Sequence, residues 1–182
     1  MSIVNPRGYL LHFRPRTVST TALRFRYTWG LGGTAATLVL LLVVTGMLLK
    51  FAYTPTPEKA YASILTLQLS IPFGGFVRNL HHWSANLLIV AVFLHLLRVF
   101  FTGAYAGKRG LNWIVGLGLL ATVLSANFTG YLLPWDQLAY WAVTVCAAAL
   151  AYLPGIGDWL QRLLIGGGEL TPVTLANFFA LH

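Results

Sequence analysis

Acidic residues and cysteine are scarce in this 182-residue sequence. It has four Asp and Glu residues against twelve Lys and Arg residues, and a single cysteine. One cysteine, Cys146, excludes an internal disulfide, a CxxC zinc site and the CxxCH motif of covalent haem attachment. Only 9% of the residues are charged and 57% are hydrophobic. This composition excludes an ordinary soluble domain and indicates a membrane protein.

Three long stretches contain no Asp, Glu, Lys or Arg, and no Pro before their last two residues: residues 27–49, 79–97 and 110–135. Another uncharged stretch, 137–157, is interrupted by Pro154 and Gly155. Each of the three meets or approaches the roughly 20 apolar residues that cross about 30 Å of hydrocarbon as a helix. The sequence therefore predicts an all-α membrane protein. Its three complete spans are expected at about 29–53, 77–102 and 111–133.

The remaining segments are expected to lie outside these spans. Residues 1–28 mix arginines with apolar residues, which is typical of an amphipathic segment on a membrane surface. Residues 54–76 read as a connection, and 138–166 as short surface helices broken at Pro154 and Gly155. Pro172 suits the first position of a helix, so 172–182 is expected to begin a fourth span.

The distribution of charge predicts an orientation. Eight of the twelve Lys and Arg residues lie in the N-terminal segment or around the turn between the second and third spans. All four acidic residues lie elsewhere. The positive-inside rule then places the N-terminus and that turn on the cytoplasmic side. Because the positive residues flank apolar spans, the net charge of +8 does not indicate nucleic-acid binding.

Two histidines share one face of the second span. His81 and His95 are 14 residues apart, which falls about 40° short of four full turns and spans roughly 21 Å along the axis. His82 lies about 140° away from His95 around the helix. The geometry therefore pairs His81 with His95. Ionisable residues at membrane depth are rare and tend to be functional.

An arginine lies one turn outward of each of these histidines. Arg78 precedes His81 by three residues, and Arg98 follows His95 by three. This placement suits anionic groups, such as the propionates of a haem bound at each histidine. Three interpretations stay open at this point: a metal or haem site, a proton path, and histidines packed between helices. The arginines could equally be snorkelling to the membrane surfaces.

Glycines repeat the same 14-residue period. Gly32 and Gly46 lie in the first span, and Gly116 and Gly130 lie in the third. Two flat macrocycles at different depths need helix surfaces without side chains at matching heights. Small-residue helix packing is the ordinary alternative. Because the glycine and histidine periods agree, the pattern favours two haem sites.

Three motifs resemble cytochrome b of bc-type quinol-oxidising complexes. Residues 129–137 read Thr-Gly-Tyr-Leu-Leu-Pro-Trp-Asp-Gln, 78–85 contain the Arg and His-His-Trp-Ser-Ala pattern, and 95–98 read His-Leu-Leu-Arg. The likeness covers about 29–182 and is to the short cytochrome b of photosynthetic b–f complexes and their bacterial relatives. It implies a four-helix bundle that holds two haems b.

In this resemblance each haem takes one histidine from the second span and one from the fourth. His81 and His182 would ligate the outer haem. His95 would ligate the inner haem with a histidine about 14 residues beyond His182, outside the given sequence. We therefore expect a fragment of a longer protein. A one-haem protein, or an inner site completed by another subunit, is the alternative.

The resemblance also implies a function and partners. Quinol would be oxidised on the outer side, with electrons passing to a Rieske iron–sulfur protein and, through the two haems, to quinone on the inner side. Partners would include a c-type cytochrome, the remaining cytochrome b helices, lipid and a second copy of the complex. The setting would be an energy-transducing membrane such as the bacterial inner membrane. Tyr131, Ala142 and Val143 would border the quinol pocket.

Two departures limit the resemblance. The Pro-Glu-Trp-Tyr motif of the family is absent, so this chain is not expected to oxidise quinol by itself. The cysteine that attaches an extra haem in photosynthetic forms is replaced by Gly30, so no covalent haem is expected. The alternatives are a haem subunit of a membrane hydrogenase or formate dehydrogenase, and a haem-free membrane subunit. The 129–137 motif and the paired glycines disfavour the former.

Overall fold

The computed structural model describes residues 28–182. The amphipathic segment expected at 1–28 therefore lies, except for its last residue, outside the described part. Within 28–182 the chain forms α-helices and no β-strand, so the all-α prediction is confirmed. The helices are α1 Leu31–Lys50, α2 Ala60–Leu69, α3 Gly74–Phe101, α4 Gly110–Leu132, α5 Gln137–Ala151, α6 Gly157–Ile165 and α7 Pro172–Leu181.

Three of these helices are long and apolar enough to cross a membrane. They are α1, α3 and α4, with 20, 28 and 23 residues, and they occupy the three stretches expected to span. Helix α3 begins at Gly74, three residues before the expected 77. It begins there because Phe73, its N-cap, has a left-handed backbone with φ of 60° that reverses the chain after Pro72.

Helix α2 was missed in the sequence, where 54–76 read only as a connection. Its Ala60 and Leu67 are buried. The close approach of α2 to α3 requires glycine at position 74, because a Cβ there would collide with the carbonyl of Leu67. The helix forms because the fourteen residues between the Pro57 and Pro72 turns include no Pro or Gly.

The three long helices and the shorter α7 form two packed pairs. Helix α1 lies along α3, and α4 packs against α7, whereas α3 and α4 share few contacts. Helices α5 and α6 pack on each other and close one end of the bundle, called here the α5–α6 end. A buried apolar cluster lies at that end: Leu132, Ala139, Val143, Ala147, Ile165 and Phe178.

Hydrogen bonds fix the start of α5 and of α7. The carboxylate of Asp136 accepts the Ala139 N–H at 2.8 Å, which caps α5. The hydroxyl of Thr174 accepts the Thr171 N–H at 3.0 Å and donates to the Ile165 carbonyl at 2.6 Å. The second bond ties α7 to the last turn of α6. The direction of α7, and with it the location of its last residues, depends on this buried hydroxyl.

Candidate functional site

His81 and His182 face each other between the two helix pairs. His81 belongs to α3, and His182 follows the last turn of α7. Their ring centroids are 6.1 Å apart, and the ring planes make an angle of 72°. Two imidazole–metal bonds of about 2 Å, with about 1.1 Å from each nitrogen to its ring centre, add up to about 6 Å. The spacing therefore fits one metal ion held between the two rings.

The Nδ1 atom of His81 is a hydrogen-bond donor. It lies 2.8 Å from the hydroxyl oxygen of Thr45 on α1. That hydroxyl donates its single hydrogen to the carbonyl of Leu41 at 2.7 Å. The Thr45 oxygen must then accept a hydrogen bond from His81 Nδ1–H. A neutral imidazole carries its lone pair on the other nitrogen, so Nε2 of His81 is the atom able to bind a metal.

The same reasoning applies to His182. Its Nδ1 lies 2.9 Å from the carbonyl oxygen of Ala126 on α4, which can only accept a hydrogen bond. The Thr129 hydroxyl lies 3.3 Å from the same Nδ1 and donates to that carbonyl at 3.0 Å. Nε2 of His182 therefore also carries a lone pair. Histidines that ligate metals usually donate the other ring N–H to a carbonyl or similar group, as both rings do here.

Glycines make room for these rings. A Cβ added to Gly46 on α1 would lie 3.3 Å from Cε1 of His81, and one added to Gly130 on α4 would lie 2.5 Å from Cε1 of His182. The first distance is tight and the second is a clash. Each histidine therefore lies against a helix surface that has no side chain at its depth.

Among residues 28–182, the second level of the bundle has one histidine. A Cβ on Gly32 of α1 would lie 3.7 Å from Cε1 of His95 on α3. Gly116 on α4 has no described atom within 4 Å of such a Cβ. Three of the four glycines singled out in the sequence thus face a histidine ring, and the fourth faces open space in the described part of the chain.

The two arginines and His82 on α3 differ in their burial. Arg78 and Arg98 are partly buried on α3, and the Arg78 guanidinium donates to the Gln68 side-chain oxygen at 3.0 Å. His82 is exposed, and its Nε2 lies 3.3 Å from the side-chain nitrogen of Asn86. Thus His82 lies outside the histidine pair, on another side of α3.

An apolar groove of about 490 Å³ lies between the end of α4 and α5. Of the three residues expected to border a quinol pocket, Tyr131 and Ala142 line it. Val143 is fully buried in the cluster at the α5–α6 end and does not line the groove. Burial raises the pKa of the Cys146 thiol, which also lines the groove. The Cys146 thiol is therefore neutral at neutral pH.

Fold and site together define a helical, multi-pass membrane protein that brings two imidazoles together between helix pairs. The family profile described as Cytochrome b/b6/petB matches residues 17–182. The chain belongs to this family, whose members carry haem b and transport electrons within membranes. This membership decides against the hydrogenase-type and haem-free alternatives.

Curated relatives agree with this assignment. The chain is 44% identical over 152 residues to cytochrome b6 of Heliobacterium mobile, covering 84% of this chain and 71% of the relative. It is 38% identical over 152 residues to cytochrome b6 of Synechococcus sp. (strain CC9902), covering 84% and 70% respectively.

A solved structure is also similar. A chain of the "Hyperthermophilic respiratory Complex III" matches with a TM-score of 0.76 and 30% sequence identity. The match covers 84% of this chain and 42% of that chain. This protein therefore spans less than half the length of that chain.

Proposed function

We propose that this chain is the haem-carrying cytochrome b subunit of a bc-type quinol-oxidising complex. It carries electrons across the membrane between an outer quinol-oxidation site and an inner quinone site. Its family and its likeness to a respiratory complex III chain support a subunit of this type. The observation that carries the proposal is the His81–His182 pair, with ring centroids 6.1 Å apart.

The residues of this pair fit haem b. Both rings donate through Nδ1 and keep Nε2 for iron, and Gly46 and Gly130 leave a smooth surface beside them. When bound, haem b supplies reversible one-electron chemistry at iron. His81 and His182 would hold the outer haem. Gly30 offers no thiol, so the haems would be held without a covalent link.

A second haem would be held at the other level. His95 would supply one ligand, and a histidine outside the given sequence would supply the other. Gly32 lies against His95, and Gly116 leaves a corresponding space on α4. The 14 residues between His81 and His95 separate the two levels by about 21 Å along α3. That distance would set one site near each membrane surface.

Arginines and the groove complete the proposed site. Arg78 and Arg98 lie one turn outward of His81 and His95, where their charges would bind the propionates. The groove beside Tyr131 and Ala142 would border the quinol pocket.

The proposal includes an assembly and a location. A Rieske iron–sulfur protein and a c-type cytochrome would accept electrons, and the remaining cytochrome b helices would come from another segment or subunit. The complex would be a homodimer in the bacterial inner membrane or another energy-transducing membrane. The α5–α6 end would face outward and the N-terminus the cytoplasm, as the charge distribution predicts.

Haem counting in the purified complex tests the proposal. Replacing His81 or His182 with Ala should each remove one haem b per chain, and the double variant should remove no more than either single variant. His95→Ala should remove the other haem. His82→Ala is the matched control, because this exposed ring is next to His81 but points away from the pair. A complex that keeps both haems without His81, or loses one without His82, would contradict the proposal.

A further inference from the structure

Hydroxyl groups occur at one level of the bundle and not at the corresponding positions of the other. On α1, Thr45 precedes the Gly46 that faces His81, and on α4, Thr129 precedes the Gly130 that faces His182. Fourteen residues earlier, the matching pairs are Leu31 with Gly32 and Val115 with Gly116. The residue before each glycine can therefore form a hydrogen bond with a histidine nitrogen at the outer level, that of His81 and His182. At the inner level, that of His95, it has no hydroxyl with which to do so.

On the basis of the proposed function, we propose that Thr45 and Thr129 are positioning residues for the outer haem. Their hydroxyl oxygens accept the Nδ1–H groups of His81 and His182, which fixes the tautomer and the rotation of each ring. A hydrogen bond accepted from Nδ1–H makes the imidazole a more basic ligand. A more basic ligand favours ferric over ferrous iron, so these hydroxyls lower the reduction potential of the outer site.

The arrangement differs from ordinary threonine bonding within a membrane helix. Threonine hydroxyls often donate to the carbonyl three or four residues earlier, and Thr122 on α4 does so with Gly118 at 3.0 Å. Thr45 and Thr129 make that bond too, but both are buried and a histidine nitrogen lies on their remaining lone pairs. The backbone bond uses the hydroxyl hydrogen, so the oxygen is committed to accepting from the ring.

The two threonines are not equivalent. At His81, the hydroxyl of Thr45 is 2.8 Å from Nδ1. At His182, the Ala126 carbonyl at 2.9 Å is nearer to Nδ1 than the Thr129 hydroxyl at 3.3 Å. Each ring also has a backbone carbonyl partner, Leu42 for His81 and Ala126 for His182. Removing the Thr45 hydroxyl takes away the nearest partner of its ring, whereas removing the Thr129 hydroxyl takes away the more distant one. The change at Thr45 should therefore have the larger effect.

Redox titration of the intact complex, followed in the optical bands of the b haems, tests the inference. Thr45→Val should raise the midpoint potential of the haem that depends on His81 and leave that of the His95 haem unchanged. Thr129→Val should shift the same haem in the same direction by a smaller amount. Thr45→Ser, which keeps the hydroxyl, should restore the wild-type potential. Thr122→Val is the control, because it removes a hydroxyl of α4 that donates to the backbone carbonyl of Gly118.

Low-spin ferric EPR adds a readout that a purely structural role would not change. Its signal depends on the angle between the ligand ring planes, here 72°, so Thr45→Val should alter the outer signal and Thr122→Val should not. If Thr45→Val retains no haem, Thr45→Ala replaces it as the test, because the smaller side chain adds no methyl beside the ring. Wild-type potential and EPR in the haem-loaded variant would overturn the inference, as would an equal shift with Thr122→Val. If His81→Ala removes no haem, the proposed function fails first, whatever the threonines do.

Discussion

The hydroxyl of Tyr53, just beyond α1, donates a hydrogen bond of 2.6 Å to the carbonyl of Leu133, at the end of α4. The Tyr53 ring also contacts Phe179 of α7, with centroids 5.4 Å apart. One side chain therefore joins three helices at the α5–α6 end and connects the two helix pairs that carry His81 and His182. Burial raises the pKa of the Tyr53 hydroxyl, which keeps it protonated as a donor.

Tyr53→Phe should destabilise the bundle by about 1 kcal/mol, because it removes this hydrogen bond but keeps the ring contact. The measurement is thermal unfolding of the purified complex in detergent, monitored through the release of haem. Tyr61→Phe is the control, since Tyr61 is exposed on α2. Equal midpoints for the Tyr53 variant and the wild type would show that the bond contributes nothing to stability.

The effect of a glycine-to-alanine substitution should depend on the space beside the neighbouring histidine ring. Gly130→Ala places a methyl group on the His182 ring and should cost about 1–3 kcal/mol through overpacking, with loss of the outer haem. Gly46→Ala, whose methyl would be 3.3 Å from His81, should retain more haem. Gly118→Ala on the same helix as Gly130 has open space and serves as control. Haem content per chain ranks the three variants. More haem in Gly130→Ala than in Gly46→Ala would contradict the prediction.

Thr174→Val should misplace the start of α7. The substitution leaves the Ile165 carbonyl and the Thr171 N–H without their hydroxyl partner, at a cost of about 1–3 kcal/mol. Because α7 carries His182, we expect lower thermal stability together with a lower content of the outer haem. Thr174→Ser keeps the hydroxyl and should behave like the wild type. A Val variant as stable as the Ser variant would mean that the bond to Ile165 does not hold α7.

Asp136→Ala should weaken the start of α5 by about 1 kcal/mol, because the Ala139 N–H loses its capping oxygen. Asp136→Asn retains an oxygen acceptor and should recover most of the stability. Thermal unfolding separates the two variants. Since α5 lines the apolar groove, binding of a quinone analogue provides a second measurement. Identical behaviour of the Ala and Asn variants would exclude a capping role.

Local patterns in the sequence accounted for much of the architecture. Helical periodicity is a property of one segment, so the span lengths and the shared face of His81 and His95 could be read without any knowledge of neighbouring helices. Helix α2 could not be recognised as securely, because a ten-residue apolar run between prolines is compatible with a connection. Its Gly74 contact with α3 is what reveals a packed helix.

The location of the groove residues needed the tertiary structure. Tyr131, Ala142 and Val143 were expected together from the family resemblance, yet Val143 lies in the buried cluster while the other two line the groove. Adjacent residues on a helix are about 100° apart, so neighbours in sequence face different surroundings. Only the rotation of α5 against α4 and α7 decides which of them meets the groove.

By itself the sequence determined a membrane-spanning helical protein, its two levels of histidine and the glycines at matching heights, because each depends on composition or on the period of a single helix. The tertiary structure alone decided that Thr45 would meet His81 across 36 residues of chain and that Thr129 would meet His182 across 53. Such contacts depend on the relative depth and rotation of separate helices. No local pattern encodes these, and they fix the ring nitrogen on which each histidine keeps its lone pair.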